Sequence, residues 1–209
     1  MGLYLHKYSR CFDFIFPKRT WRKNTDKKVI YLTFDDGPIP EITDFVLNEL
    51  AKVNAKATFF CVGDNIRKHP EVYQRLLDAG HRTANHTFNH LNGSKTPALE
   101  YLENVKKCSL YIKEKKNVKE LFRPPYGRMT KEQVQLLTEE YEIVMWNVLS
   151  GDFDQDLSNE KCLEKTVKHT KRGSVVVFHD SIKTIEKLRW VLPRYLAHLT
   201  DLGYRFETL

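Results

Sequence analysis

No run in this sequence approaches the ~18–20 consecutive apolar residues of a membrane-spanning helix, so an ordinary transmembrane segment is not expected. Its four cysteines, at 11, 61, 108 and 162, are widely spaced and form no CxxC pair. Cys61 sits in the apolar run ATFFCVG, and Cys108 and Cys162 in helix-like stretches, so free buried thiols are the expected state. The N-terminal stretch MGLYLHKYSRCFDFIFPK has charges through its middle and lacks the clean apolar stretch and small-residue cleavage site of an export signal. A cytoplasmic or membrane-associated location is therefore the expectation. No short-period repeat, low-complexity tract or long linker breaks the chain.

Acidic residues are scarce at the start. Residues 1–28 carry eight Lys or Arg against Asp13 and Asp26, a balance of +6 out of a total of +7. The rest is close to neutral, which argues against nucleic-acid binding through a basic face. The chain thus divides into a basic leader, residues 1–28, and a body, residues 29–209. At 209 residues, 41% of them hydrophobic and 29% charged, it has the make-up of a single globular domain with an appendage.

The body alternates short apolar runs with helix-periodic ones. VIYLTF (29–34), ATFFCVG (57–63), HRTANHTF (81–88), LFRPPYG (121–127), EIVMWNVLS (142–150), SVVVFHD (174–180) and YRFETL (204–209) read as seven strands. Helical stretches lie between them, for example from Pro40 to about Ala55, with a stripe of Ile42, Phe45, Val46, Leu47 and Leu50, and around 97–116. Repeated βα units predict an α/β fold of parallel strands, a distorted (β/α)7 barrel, with function gathered at the C-terminal strand ends. A doubly wound open sheet is the alternative.

Those ends carry chemistry. Strand one ends in Asp35-Asp36 within TFDDGP, and strand three runs into NHTFNH with His86 and His90. Strand four gives Arg123-Pro-Pro-Tyr126-Gly, strand five Ser-Gly-Asp152-Phe153, and strand six His179-Asp180. Parallel strands would bring all of these to one mouth. The pair of imidazoles at i and i+4 with one carboxylate suits a borderline divalent ion such as Zn²⁺.

TFDDGP, H-T-x-x-H, R-P-P-Y-G, W-N-V-L-S-G-D-F and V-F-H-D, in this order, resemble the five motifs of the polysaccharide deacetylases, the NodB-homology domain of carbohydrate esterase family 4. The resemblance covers residues 29–209. It implies a metal-dependent hydrolase that removes acetyl groups from a carbohydrate. The ligands it implies are Asp36, His86 and His90, holding a divalent ion, with Zn²⁺ expected. Asp35 becomes the general base, held by Arg123, and His179 the general acid, with Asp152 raising its pKa. Tyr126 matches the residue whose backbone N–H stabilises the oxyanion, and its ring is also a candidate cleft wall.

Two positions depart from the family pattern. Phe153 stands where Trp is usual and Val177 where Leu is usual, both at positions that line the acetyl-methyl pocket in the family. The changes stay apolar and bear on pocket size. The loops around the mouth are short, which suggests an open cleft for a polymer or oligomer.

N-acetylglucosamine-containing poly- or oligosaccharide is the expected substrate. O-deacetylation of a xylan-like polymer and a non-catalytic carbohydrate-binding module are the alternatives. For the leader, Tyr4, Tyr8, Cys11, Phe12 and Ile15 fall on one helical face. Such a helix would cover the closed end of the barrel, or lie on an anionic membrane surface as a peripheral contact. The sequence is silent on oligomeric state.

Overall fold

Val29 to Phe34 is apolar at five positions in six, too short for a buried helix and suited to a strand covered on both faces. In the structure, a computed structural model describing residues 4–113 and 119–209, this run is β1 (Val29–Asp35), with all but Tyr31 buried. After it come α2 (Ile42–Lys52), β2 (Thr58–Cys61), α3 (Gly63–Lys68), α4 (Pro70–Asp78), β3 (Arg82–Asn85), α5 (Ala98–Ser109) and β4 (Glu120–Phe122). The second half holds α6 (Lys131–Glu140), β5 (Tyr141–Ile143), β6 (Val148–Leu149), α7 (Asn159–His169), β7 (Val175–His179), α8 (Ile185–Asp201) and β8 (Arg205–Phe206). A short helix, α1 (Cys11–Ile15), precedes them all.

The strand order is β5-β4-β3-β2-β1-β7-β6, every pairing is parallel, and the sheet curls into a distorted barrel with helices around it. Seven strands lie on this path, but not the seven read from sequence. The run 142–150 is two strands: β5 pairs with β4, the chain bends through Val144–Asn147, and β6 pairs with β7. The C-terminal run instead supplies β8, which pairs with Val29 and Ile30 at the start of β1, below the point where β2 begins. Strand three also stops sooner than the run 81–88 read from sequence, at Asn85, because His86 onward turns away to form the site. The helix expected around 97–116 ends at Ser109, and positions 114–116 lie outside the described residues.

Two apolar layers hold the sheet. One packs Leu32, Phe34, Phe59, Val176 and Phe178 under α2 and α8, and the other places Phe60, Phe122, Trp146, Val175 and Val177 on the opposite face of the strands. Cys61, Cys108 and Cys162 are free and buried, whereas Cys11 is free and exposed.

The leader is not the single amphipathic helix its spacing suggested. Among the described leader residues only Cys11–Ile15 is helical, and the flanking segments join the barrel wall, where the fifth strand is broken, through isolated bridges of Lys7 with Val148, Thr20 with Val144 and Arg22 with Ser174. The Thr20 N–H donates to the Ile143 carbonyl (2.8 Å), the Met145 N–H to Thr20 (2.7 Å) and the Lys23 N–H to Gly173 (2.9 Å). Earlier in the leader, the Leu149 N–H donates to His6 (2.9 Å) and the Tyr8 N–H to Asn147 (3.0 Å). The break leaves backbone donors and acceptors that must find partners, and the leader supplies them. Trp21, 3% exposed, is its anchor, with its ring stacked on Tyr8 at 5.4 Å. Among the described residues no helix is long and apolar enough to cross a membrane.

Candidate active site

Neighbouring side chains on a strand point to opposite faces, so Asp35 and Asp36 can share a site only if the backbone turns between them. It does. Asp35 ends β1 in register with His179 of β7, and Asp36 takes φ 86° in the left-handed region, re-aiming its carboxylate. Gly37 makes the turn possible: a Cβ there would come 2.0 Å from the Asp180 Oδ2, whose carboxylate accepts from the Gly37 N–H (3.1 Å) and from the Thr43 hydroxyl (2.6 Å). Asp180 is buried completely, and burial pushes its carboxyl up to about 8. Asp180 points away from the mouth and fastens the turn that carries Asp36.

The histidines arrive by the same device. Thr87 (φ 63°) and His90 (φ 55°) are both left-handed, folding His86 and His90 back onto Asp36. The Asp36 Oδ1 lies 3.1 Å from His90 Nε2 and 3.8 Å from His86 Nε2. One ligand atom from each of the three residues fits within 4.8 Å of the others. His86 Nδ1 faces the Arg123 carbonyl at 2.8 Å, an acceptor only, so that nitrogen carries the proton and Nε2 offers its lone pair to the cluster. Burial lowers the His86 pKa to about 4, keeping the ring neutral as ligation requires. Burial alone would raise Asp36, but the hydrogen bond from His90 and the surrounding imidazoles hold it well below the usual carboxylate range. Asn85, one residue before, accepts the Thr87 N–H on Oδ1 (2.9 Å) and braces the histidine turn, a role carrying no sequence signal beyond its position.

Arg123 is wholly buried. One guanidinium nitrogen, Nη1, donates to Asp35 Oδ1 (2.7 Å) and to Thr33 Oγ1 (2.7 Å), while Nη2 and Nε donate to the Met145 and Val144 carbonyls (2.9 and 3.2 Å). The bond to Asp35 is single, because the bend after β5 claims other donors of the guanidinium. The guanidinium also lies over the Phe60 ring at 4.0 Å.

On the other side of Asp35, His179 Nδ1 donates to Asp152 Oδ1 (2.8 Å) and the His179 N–H to Asp152 Oδ2 (2.7 Å). Burial would lower the His179 pKa, but the charge and hydrogen bond of Asp152, with Asp36 and Asp35 nearby, raise it to about 10. The ring is therefore a stored proton at neutral pH.

The cleft wall is mixed. Phe153 meets the His179 ring edge-on at 5.4 Å, and Tyr126, 62% exposed, meets His90 edge-on at 4.9 Å. Tyr126 has φ 59°, inside the one-turn 3₁₀ segment Pro125–Gly127 that follows the rigid Pro-Pro step. Val177 does not line the cleft. It shares the face of His179 two residues deeper in β7 and is completely buried in the core, so its size reaches the site only through packing. An unforeseen contributor is Tyr4 of the leader, whose ring lies 5.1 Å from Phe153 and whose hydroxyl donates to Asp154 (2.7 Å).

With this geometry in place, the comparisons with known proteins are specific. The family model for polysaccharide deacetylase matches residues 22–144. A peptidoglycan-N-acetylglucosamine deacetylase of Bacillus cereus is 35% identical over 199 residues, covering 91% of this chain and 90% of that protein. The chain belongs to the polysaccharide deacetylase family. A chitooligosaccharide deacetylase of Azorhizobium caulinodans is 29% identical over 173 residues, 81% of each chain. The crystal structure of the Bc1960 peptidoglycan N-acetylglucosamine deacetylase, in complex with 4-naphthalen-1-yl-N-oxidanyl-benzamide, superposes with a TM-score of 0.86 at 29% identity, covering 95% of this chain and 94% of that one. This polysaccharide deacetylase is accordingly a hydrolase that acts on acetylated carbohydrate, and its fold is the family's distorted (β/α)7 barrel.

Proposed function

We propose that the protein is a divalent-metal-dependent N-deacetylase of N-acetylglucosamine-containing poly- or oligosaccharide. The observation that carries this is the Asp36/His86/His90 cluster set between the buried Asp35–Arg123 pair and the half-buried His179 on its buried partner Asp152. The donor set fits a divalent ion: one carboxylate and two imidazoles, three ligands rather than four, with His86 locked in the tautomer that ligates. Bound there, such an ion supplies Lewis acidity to a carbonyl oxygen and to water. Zn²⁺ suits the mixed nitrogen and oxygen set.

The protein's own groups divide the proton work. Asp35, held by the Arg123 guanidinium, takes the proton of the water that attacks the acetyl carbon. His179 holds its proton through neutral pH and gives it to the leaving nitrogen as the C–N bond breaks. Asp152 fixes the ring so that Nε2 is the donating atom. The left-handed backbone at Tyr126 supports its N–H as a donor to the developing oxyanion. The Phe153 ring, beside His179, is the apolar wall for the acetyl methyl.

Names of relatives favour an amino-sugar substrate: the Bacillus cereus protein is named for peptidoglycan N-acetylglucosamine and the Azorhizobium caulinodans protein for chitooligosaccharide. The test is acetate release from N-acetylglucosamine oligomers and from acetylated xylan, with and without chelator. Release from the amino-sugar oligomers, lost on chelation and restored by Zn²⁺, supports the reading. Release from xylan alone replaces the substrate. Turnover on neither, with metal bound, leaves a carbohydrate-binding role.

A further inference from the structure

Two features of the leader play no part in the chemistry above. The first is apolar. Phe14 is 85% exposed, Ile15 61% and Phe16 36%, three successive exposed large hydrophobics at the end of α1 that a helix sealing a barrel end would have buried. The second is electrostatic. Beside α1 lies a cavity of about 450 Å³ lined by Lys7, Arg10, Arg22, Lys23, Lys171 and Arg172. Asp26 is the single acidic residue on its wall. Arg22 pairs with Asp13 (3.3 Å) and Lys23 with Glu142 (3.0 Å), but among the described residues Lys7, Arg10, Lys171 and Arg172 have no ion-pair partner. Four unpaired cations around one concavity repel one another.

The two features are contiguous. Arg10 lines the cavity and immediately precedes α1, so Phe14 follows it by about one helical turn. The Asp13–Arg22 pair ties α1 to the cavity rim. A soluble anion would explain the cavity and leave the apolar knob in water. A neutral apolar partner would explain the knob and leave the cations crowded. A surface with phosphates at one depth and hydrocarbon just below it satisfies both.

We infer that the leader docks this enzyme on an anionic phospholipid surface, with Phe14 and Ile15 entering the headgroup–acyl boundary and the Lys7/Arg10/Lys171/Arg172 cavity receiving lipid phosphates. The inference rests on the leader and the 171–172 turn alone and does not depend on the reading of the active site.

The experiment is sedimentation of the full chain with vesicles of phosphatidylcholine alone or mixed with phosphatidylglycerol, at low and high salt. Binding to the mixed vesicles is expected, falling with salt and absent on pure phosphatidylcholine. The pair Phe14→Ser with Ile15→Ser is expected to weaken binding about tenfold or more. Lys171→Glu with Arg172→Glu is expected to weaken it by at least about fivefold per residue. All four side chains are exposed or unpaired, so acetate release from soluble oligosaccharide should stay at the wild-type rate in both variants. A readout on the unmutated chain is also available: a polarity-sensitive dye on Cys11, the exposed thiol within α1, should shift to the blue with phosphatidylglycerol and not without it. No binding to anionic vesicles overturns the inference, as does binding that both double variants retain. Tripolyphosphate bound in calorimetry without any vesicle binding overturns it too, assigning the cavity to a free anion.

Discussion

Arg123, with no exposed surface, donates at 2.7 Å to the Asp35 carboxylate, itself only 3% exposed, and spends its remaining donors on a hydroxyl and two carbonyls. A buried ion pair of this kind contributes little over an apolar replacement, but removing one partner strands the other charge. Its value here is positional, since it fixes the carboxylate proposed as the base beside His86 and His90, the proposed metal ligands.

Arg123→Met should therefore cost more than lost packing. We expect destabilisation of about 3–5 kcal/mol, read from urea unfolding. Arg123→Lys, which keeps the charge but cannot reach Asp35, Thr33 and the Met145 carbonyl together, should fold and lose most activity. Wild-type rates in the lysine variant would show that the charge alone suffices.

The leader is part of the barrel wall, which its sequence did not disclose. The spacing of Tyr4, Tyr8, Phe12 and Ile15 mimics a helix, yet the broken fifth strand needs backbone partners and takes them from Thr20 and its neighbours. That demand is non-local, and no periodicity within 1–28 could reveal it. Trp21→Ala should cost about 3–5 kcal/mol. A shift in the thermal midpoint of less than a few degrees would show that the wall closes without the leader.

What the sequence did disclose was the strand ends. Each catalytic candidate follows an apolar run, and parallel strands bring such positions together whatever the exact strand lengths. What it hid were the left-handed residues Asp36, Thr87 and His90, because only Gly carries a strong positive-φ signal. Asp180 was hidden for a related reason, since its partner is the Gly37 backbone rather than a side chain with a motif of its own.

Gly37→Ala tests that bracing. The added methyl would meet the Asp180 carboxylate, so the turn must move and carry Asp36 with it. Zn²⁺ affinity, measured by competition with a chelating dye, should fall at least about tenfold. Unchanged affinity would mean that the position of Asp36 does not depend on this contact.

The His179–Asp152 pair makes a pH prediction. Folding raises the His179 pKa from 6.5 to about 10, so the pair's contribution to stability is full below about pH 6.5 and disappears as pH rises through about 10. The wild type's stability advantage over Asp152→Asn should shrink across that window. In kinetics the same substitution should bring the alkaline limb of kcat/KM from near 10 back toward the ordinary histidine value. A limb that stays in place would remove His179 as the general acid.

The proposed function rests most heavily on a division of labour between the two adjacent aspartates, Asp36 to hold the metal and Asp35 to move the proton. The most direct measurement is acetate release from N-acetylglucosamine oligomers by the wild type, Asp35→Asn and Asp36→Ala, with bound metal quantified in each. We predict that Asp35→Asn keeps its metal and slows by about 10²–10⁴-fold, while Asp36→Ala loses the metal and the activity together. An Asp35→Asn enzyme that works at the wild-type rate, or an Asp36→Ala enzyme that retains full metal, would contradict it.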